Sequence, residues 1–143
     1  MYIMPIRVFV DSDVIISSLI SKTGAAYLLM QDTRINRFIS DVSHVELKRV
    51  ADVLHLSQKD LQKLVDAQCR VVKIGEYPGE RKRMAEYTRD LHDTHIVLGA
   101  KLAKAKFLVT YNLKHYLVEK IREDLGIIVL TPAFLLQYLR SLN

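Results

Sequence analysis

Short apolar runs alternate along this chain with longer stretches in which apolar residues recur at helical spacing. The apolar runs are rich in β-branched or aromatic side chains and predict short buried strands. They lie at 6–10, 37–40, 70–74, 107–111 and 127–130. The stretches between them predict helices, because their apolar positions follow the helical repeat. Strands and helices in alternation are typical of an α/β domain, in which about five parallel strands form a central sheet flanked by helices.

Two of the helical stretches carry apolar stripes. In the stretch at 40–55, valine and leucine side chains repeat at helical spacing and predict the buried face of that helix; they are Val42, Val45, Val50, Val53 and Leu54. The last stretch, at 131–142, begins with Thr-Pro, a usual helix start. Its apolar residues either pack into the core, the commoner arrangement, or offer a surface to a second copy of the chain; they are Leu135, Leu136, Tyr138 and Leu139.

The composition is that of a single domain spanning residues 1–143. Half of the 143 residues are hydrophobic, which is enough to bury a core without disulfides. The single cysteine, Cys69, excludes an internal disulfide and favours an intracellular protein. No apolar run reaches the roughly 20 residues that cross a bilayer, and the N-terminus lacks the charged-then-apolar order of a signal peptide. We therefore expect a cytoplasmic protein that does not use a membrane.

The formal net charge of +5 favours an anionic partner, of which nucleic acid is the commonest. Positive charge is concentrated in "GERKRM", where Arg81, Lys82 and Arg83 follow one another. Such a run is usually a solvated helix face, but it can also hold phosphates beside an acidic site. These three residues and Lys114 are the candidates for contact with RNA.

Four carboxylates lie beside apolar runs rather than on an obviously exposed face. Asp11 ends the first strand, Glu46 lies between Val45 and Leu47, and Asp90 and Asp93 precede the long helix in "RDLHDTHIVLGA". If they converge at the carboxyl edge of the sheet, their oxygens suit Mg²⁺ or Mn²⁺. A cation there would activate water for attack on a phosphodiester.

Each of these acids also has an ordinary structural explanation. Asp11 and Asp93 are plausible helix N-caps, Asp90 is a plausible turn residue, and Glu46 suits the first turns of a helix. His92 and His95 bracket Asp93, but no second pair of His or Cys residues at ligand spacing accompanies them, so we expect surface or supporting histidines.

Three segments, taken in order, resemble the PIN-domain family of metal-dependent nucleases. They are "VFVDSDVIISSLISKTGAAYLL", "ISDVSHVELKRV" and "RDLHDTHIVLGAKLAKAKFLVTYNLKHY". The likeness spans nearly the whole chain and is greatest to the VapC-like toxins of toxin–antitoxin pairs. It implies a single PIN-like α/β domain, and an endoribonuclease that hydrolyses RNA phosphodiester bonds with Mg²⁺ or Mn²⁺. It further implies the toxin of a type II toxin–antitoxin system.

The resemblance also implies roles for particular residues. Asp11, Glu46 and Asp93 match the acids that hold the metal and carry catalysis in the family, and Asp90 has a supporting place beside them. The family's partners would be RNA and an antitoxin that inserts a segment over the acidic groove, and homodimers are common in the family.

This sequence departs from the family pattern at two positions. Asp13 stands where the family usually has Asn, and it would support the site through hydrogen bonds or add a negative charge. Asn112 in "VTYNLKHY" stands where the family often has Asp. An amide oxygen can still ligate a metal or hold its water, but it brings no charge. Weak or strongly Mn²⁺-dependent activity is therefore one expectation.

Two other functions fit part of the sequence. An RNA-binding PIN-like module with little or no catalysis fits Asn112 and the positive charge. A phosphatase of the haloacid-dehalogenase type fits the "VFVDSDV" motif at Asp11 and Asp13. Such phosphatases also need acids after a later strand, and neither "FLVTYNL" nor "IIVL" is followed by one. The phosphatase is therefore the least favoured of the three.

Overall fold

The computed structural model describes residues 4–142, and its centre is one parallel sheet. The five strands are β1 Ile6–Val10, β2 Ile35–Ser40, β3 Cys69–Val72, β4 Phe107–Val109 and β5 Ile128–Leu130. They are arranged in the order β3-β2-β1-β4-β5, and every neighbouring pair is parallel. This confirms the predicted fold class and strand number. The first strand lies at the centre, so the residues after β1 are flanked by those after β2 and β4.

Helices connect the strands. They are α1 Ser12–Ile20, α2 Ala25–Gln31, α3 Asp41–Val53, α4 Gln58–Gln68, α5 Pro78–Arg83, α6 Thr94–Leu102, α7 Val118–Leu125 and α8 Pro132–Arg140. Their ends follow capping chemistry: the Ser57 side chain accepts a hydrogen bond from the Asp60 amide at the start of α4. At the end of α7, Gly126 takes a left-handed conformation with φ of 69°, which glycine adopts without steric cost.

Each face of the sheet covers a separate apolar core. Val8 and Val10 of β1 point into the core formed with α1, α2 and α8, whereas Phe9 points to the other face and packs with α6. This alternation follows from the two-residue repeat of a strand. Both faces are covered by helices, and Val8, Phe9 and Val10 of β1 are apolar and fully buried, as predicted for a central parallel strand. Arg7, near the start of the strand, donates to the Ala103 carbonyl.

The predicted buried stripe of α3 is wrong. Val45, Val53 and Leu54 are 70%, 67% and 47% exposed, and Val42 and Val50 are only half-buried. The buried positions are instead Ser43, Leu47 and Ala51. They recur every fourth residue, so they share a face of the helix. Two of these side chains are small and allow α3 to approach its neighbours closely, which leaves the larger valines at the edge or in solvent.

The apolar residues of α8 pack inside the molecule. Leu135, Leu136 and Leu139 are buried in the core, and the ring centroid of Tyr138 lies 5.1 Å from that of Phe107. The alternative of an apolar α8 surface for a second copy is therefore wrong for the three leucines. Among residues 4–142, no single helix has the length and apolar composition to cross a membrane, and only α1 and α2 together, bent by 101°, would meet that test.

Candidate active site

Asp11 lies directly after the central strand and is held by three hydrogen bonds. The backbone amide of Ser12 donates to its Oδ1 at 2.7 Å, as expected for the residue that caps α1. The hydroxyls of Thr110 and Tyr116 donate to its Oδ2 at 2.9 and 2.8 Å. Burial raises the pKa of the Asp11 carboxyl, and these hydrogen bonds oppose that rise. Asp11 is thus both the predicted helix cap and a buried acid with a fixed orientation.

Asp13 shares its surroundings with Asp11. Its Oδ2 accepts hydrogen bonds from the Tyr111 amide at 3.1 Å and from Asn112 Nδ2 at 2.9 Å. Its other oxygen, Oδ1, is buried and has no hydrogen-bond partner among residues 4–142. Burial, followed by the charge of Asp11, raises the pKa of Asp13 to about 7. The amide group of Asn112 is therefore engaged with Asp13 through its nitrogen.

Asp93 occupies the N-cap position of α6 but does not cap the helix with its side chain. Its Oδ2 instead lies 3.1 Å from His115 Nδ1, a contact at ion-pair distance. Burial raises the pKa of Asp93, and the charge of Asp11 raises it further. The carboxylates of Asp93 and Asp11 therefore repel each other electrostatically, as expected for two acids of one site.

A short antiparallel bridge holds Tyr116 and His115 against this cluster. Thr88 pairs with Tyr116, and the Arg89 amide donates to the His115 carbonyl at 2.8 Å. The Tyr116 side chain is almost fully buried. Burial and the neighbouring carboxylates raise its pKa, so the hydroxyl stays protonated and donates to Asp11.

Glu46 lies on α3 and faces a different partner. Its Oε2 is 3.6 Å from Nε2 of the buried His95, whose Nδ1 lies 3.4 Å from Ser40 Oγ. Burial, together with the positive charge of Arg81, lowers the pKa of His95 to about 4, so this imidazole is neutral at pH 7. Glu46 is 41% exposed and lines a groove beside the Asp11 cluster rather than the cluster itself.

The other predicted residues lie nearer the surface. Asp90 is exposed and accepts a hydrogen bond from the His92 amide at 2.9 Å, which makes it the cap of a short 3-10 turn. Lys82, Arg83 and Lys114 are exposed, and Arg81 is half-buried. Arg81 lies in the same groove as Glu46.

Sequence reasoning missed three residues that contact the acids. Thr110 and Tyr116 bind Asp11, and His115 contacts Asp93. All three follow β4, and the parallel topology alone brings the end of this strand beside β1. The signal available in the sequence was their position at, or just after, the end of the strand predicted at 107–111, since that edge of a parallel sheet collects functional side chains.

The oxygen atoms of the acidic residues suit a hard divalent cation. The three predicted ligands, Asp11, Glu46 and Asp93, do not all lie together, since Glu46 lies against His95. Within residues 4–142, no three His, Cys, Asp or Glu side chains are arranged as a metal site. Asp11, Asp13 and Asp93 nevertheless offer only oxygen atoms, and no Lys or Arg of the described chain forms an ion pair with them. Asp13 Oδ1 is buried without a hydrogen-bond partner among residues 4–142, and burial raises the pKa values of Asp11 and Asp13, so a bound cation would favour their charged forms. These residues fit Mg²⁺ or Mn²⁺ in chemical type.

The pKa of Asp13 predicts a pH-dependent stability in the absence of cations. A folded-state pKa near 7, above the ordinary value of 3.8, means that the folded chain binds the proton more tightly than the unfolded chain. The free energy of unfolding therefore falls as pH rises from about 4 to about 7. For Asp13 we expect a loss of about 1–2 kcal/mol, since water screens part of the interaction.

Urea unfolding in EDTA at several pH values measures this loss. Asp13→Asn should remove it, and the difference between the two proteins isolates Asp13 from His95. The lowered pKa of His95 gives the opposite slope between about pH 4 and 6.5. Parallel stability curves for the two proteins would contradict the prediction.

Comparisons with known proteins were consistent with this fold. The family model described as PIN domain matches residues 7–114. The structure of a toxin–antitoxin complex from Klebsiella pneumoniae aligns at 21% identity with a TM-score of 0.64, covering 87% of this chain and 97% of that one. The structure of VapBC2 from Rickettsia felis, bound to a DNA fragment from its promoter, aligns at 15% identity with a TM-score of 0.56, covering 88% and 98%.

At these identities the structural likenesses show a shared fold. No curated protein sequence matches the chain. The family model, however, covers most of the chain, and its match at residues 7–114 includes β2, β3 and β4 and the acids Asp11, Asp13, Glu46, Asp90 and Asp93. The chain therefore belongs to the PIN-domain family.

Proposed function

We propose that this protein is a divalent-cation-dependent endoribonuclease and the toxin of a type II toxin–antitoxin system acting in the cytoplasm. The observation that carries the proposal is the carboxylate cluster after β1. Asp11, Asp13 and Asp93 lie at the carboxyl edge of the sheet with raised pKa values, and no Lys or Arg in residues 4–142 forms an ion pair with them. Uncompensated buried charge costs stability, so its presence favours a cationic ligand.

The chain's own residues prepare the site. The Ser12 amide and the hydroxyls of Thr110 and Tyr116 fix the Asp11 carboxylate. Because Thr110 has one hydroxyl proton, its 2.9 Å contact with Asp11 leaves Asp13 to be oriented chiefly by Tyr111 and Asn112. A rigid carboxylate needs no reorganisation when the substrate arrives, which is the basis of electrostatic preorganisation.

The candidate ligands that the structure places together are Asp11 and Asp93, whereas Glu46 lies on α3 against His95. When bound there, Mg²⁺ or Mn²⁺ supplies Lewis-acid activation of water and neutralises charge on the phosphate. Asn112 Nδ2 holds Asp13, and His115 Nδ1 contacts the Asp93 carboxylate. Positive side chains on α5, Arg81 among them, supply the attraction for an RNA backbone.

An antitoxin is the second partner in this proposal. The structural neighbours are described as a toxin–antitoxin complex and as VapBC2, and the acidic cluster suits a basic segment inserted by such a partner. A basic side chain placed among the carboxylates would compete with the cation. An antitoxin would therefore inhibit the enzyme by placing a positively charged side chain where the cation would otherwise bind.

Cation binding is tested first by thermal unfolding. Mn²⁺ or Mg²⁺ at about 100 times its Kd should stabilise the fold by about 2.7 kcal/mol. Asp93→Asn should weaken this stabilisation, because one of the ligand charges is lost. The melting temperature measured in EDTA, Mg²⁺ and Mn²⁺ gives the comparison. Equal melting temperatures in all three solutions would argue against a cation site.

Cleavage is tested on a mixed set of structured and single-stranded RNAs in the same three solutions. We expect cuts with Mn²⁺ or Mg²⁺ and none with EDTA. An RNA-binding module without catalysis predicts RNA binding but no cation-dependent cuts or stabilisation. Hydrolysis of p-nitrophenyl phosphate, with RNA untouched, would instead favour the phosphatase.

A further inference from the structure

The Tyr116 hydroxyl closes one side of the Asp11 carboxylate. An ionised carboxylate has two oxygens with two lone pairs each, and it only accepts hydrogen bonds. The hydroxyls of Thr110 and Tyr116 both donate to the same oxygen, Oδ2, at 2.9 and 2.8 Å. These two bonds fill both lone pairs, so Oδ2 of Asp11 has none left for another group.

The other oxygen of Asp11, Oδ1, keeps one lone pair. Among residues 4–142, the single donor to Oδ1 is the Ser12 amide, at 2.7 Å. This bond takes one of the two lone pairs of that oxygen. Asp11 can therefore offer one oxygen to a cation and cannot chelate it through both.

The Tyr116 side chain is fixed in this place by its packing and by its backbone. The ring is almost fully buried in the core that α6 covers. The Tyr116 amide donates to the Leu113 carbonyl at 3.1 Å, and the amide of Leu117, the next residue, donates to the Tyr87 carbonyl at 2.9 Å. A ring held in this way cannot turn away from Asp11 when a ligand arrives.

The other two acids of the cluster also have one carboxylate oxygen engaged by the protein. Asp13 Oδ2 accepts hydrogen bonds from the Tyr111 amide at 3.1 Å and from Asn112 Nδ2 at 2.9 Å. The second oxygen of Asp13, Oδ1, has no hydrogen-bond partner among residues 4–142. Asp93 Oδ2 lies 3.1 Å from His115 Nδ1. The cluster therefore presents its acids chiefly through single oxygens.

Coordination by single carboxylate oxygens distinguishes between divalent cations. Ca²⁺ takes about six to eight oxygen ligands in a flexible arrangement and often binds both oxygens of one carboxylate. Mg²⁺ is smaller, requires a near-ideal octahedron and keeps several of its waters. An acid that offers one oxygen thus suits the octahedral cation and gives Ca²⁺ fewer ligands than it prefers.

We propose that the Tyr116 hydroxyl determines which cation this site accepts, by filling Oδ2 of Asp11 and so favouring Mg²⁺ and Mn²⁺ over Ca²⁺. Tyr116 acts through Asp11 and is therefore a positioning residue rather than a ligand. A phenylalanine ring would fill the same space in the core but would leave a lone pair of Oδ2 free. This inference rests on the proposed function, since it specifies the cation of the same site.

The experiment measures cation affinity in the absence of RNA. The wild type and Tyr116→Phe are titrated with Mg²⁺ and with Ca²⁺ by isothermal titration calorimetry, and melting temperatures at the same concentrations give a second value of each Kd. In Tyr116→Phe, we expect the Kd for Ca²⁺ to fall about tenfold relative to the Kd for Mg²⁺. A tenfold change is about what one contact with a charged group contributes.

A purely structural role for Tyr116 predicts a different result. A loosened site would change the affinities for Mg²⁺ and Ca²⁺ by the same factor, so an unchanged ratio of the two Kd values would overturn the inference. The matched control is Tyr27→Phe, which removes the hydroxyl of a half-buried tyrosine on α2. Its ratio should equal that of the wild type. An equal shift of the ratio in both variants would also overturn the inference.

The number of Asp11 oxygens on the cation can be observed directly in crystals. In the wild type with Mn²⁺, the cation should contact Oδ1 of Asp11 alone. In Tyr116→Phe with Ca²⁺, both oxygens should lie within about 2.3–2.6 Å of the cation. Chelation by both oxygens in the wild type would overturn the inference, and this observation does not depend on how the variant folds.

The outcomes keep this inference apart from the proposed function. Cation binding and cation-dependent cleavage with an unchanged Kd ratio would remove the role of Tyr116 and leave the nuclease. A shifted ratio in a protein that never cuts RNA would retain the role of Tyr116 and remove the nuclease. A wild type that binds none of Mg²⁺, Mn²⁺ and Ca²⁺ would remove both.

Discussion

Replacing Asp11 by asparagine will lower the rate of Mn²⁺-dependent RNA cleavage on the order of a thousandfold. The substitution keeps the size of the side chain and one oxygen acceptor, but it removes the charge at the centre of the cluster. Thr110 and Tyr116 currently donate to that charge, and Asp13 and Asp93 respond to it through raised pKa values. No other carboxylate in the cluster contacts both hydroxyls, so the role of Asp11 cannot be taken over by a neighbour without rearrangement.

The same substitution should leave the cation-free protein at least as stable as the wild type. Removing one of several like charges relieves repulsion, and hydroxyl groups can turn to accept from an amide. Initial cleavage rates, with melting temperatures in EDTA, measure both effects. Asp66→Asn on α4 is the matched control, because its carboxylate is exposed and, within residues 4–142, accepts a side-chain hydrogen bond from Gln62 alone. Cleavage by Asp11→Asn at the wild-type rate would mean that the catalytic acid lies elsewhere or that the preparation contains another ribonuclease.

Replacing Gly99 by alanine will destabilise the fold by about 1–2 kcal/mol, although alanine is the better helix former. Gly99 lies in α6 where the helix crosses β1, and a Cβ atom there would lie 2.5 Å from Cε2 and Cζ of Phe9. Phe9 is fully buried, so its ring has no free space into which to move. The cost of overpacking, about 1–3 kcal/mol, exceeds the gain in helix propensity of about 1 kcal/mol.

Urea unfolding measures this loss, and Gly79→Ala in α5 is its control. A Cβ at Gly79 would meet no atom within 4 Å, so that variant should be as stable as the wild type or more so. To relieve the contact with Phe9, α6 would have to shift in Gly99→Ala, and Asp93 lies at the start of this helix. The rate of cleavage should therefore also fall, because small misplacements of catalytic groups slow the reaction. An unchanged unfolding midpoint would show that the contact between α6 and β1 has more room than the structure indicates.

Local sequence patterns were enough for the architecture because their physics acts between near neighbours. The apolar runs formed all five strands. The helix ends at Ser57 and Gly126 also follow from local capping chemistry, which favours serine at a helix start and glycine at a helix end. Alternation alone did not give the order of the strands: β4 follows β3 in the chain, but it pairs with β1 and β5 and not with β3. Even the position of Asp11 at a sheet edge followed from one strand and one helix start.

Periodicity failed where two faces of one helix were both partly apolar. In α3, the face that carries Ser43, Leu47 and Ala51 packs into the core, and the valines at 45 and 53 are left exposed. Packing depends on the shapes of the surrounding helices, which the sequence of α3 does not contain. The exposed Val45 is the result.

In the candidate site, too, the sequence indicated some features and only the structure showed the others. Its acids could be predicted, because a carboxylate beside an apolar run is unusual in a single strand or helix. Asp90 and Asp93 could not be assigned their separate roles, since both have capping chemistry, and only the structure shows Asp90 capping a turn while Asp93 faces His115.

By itself, therefore, the sequence determined the strands, most of the helices and the acids available for chemistry. Only the tertiary structure decided which groups contact those acids. Thr110 and Tyr116 lie 99 and 105 residues from Asp11 and meet it because β4 pairs with β1. The physical reason is that burial and long-range hydrogen bonds, which orient a carboxylate and raise its pKa, exist only after distant segments have packed together.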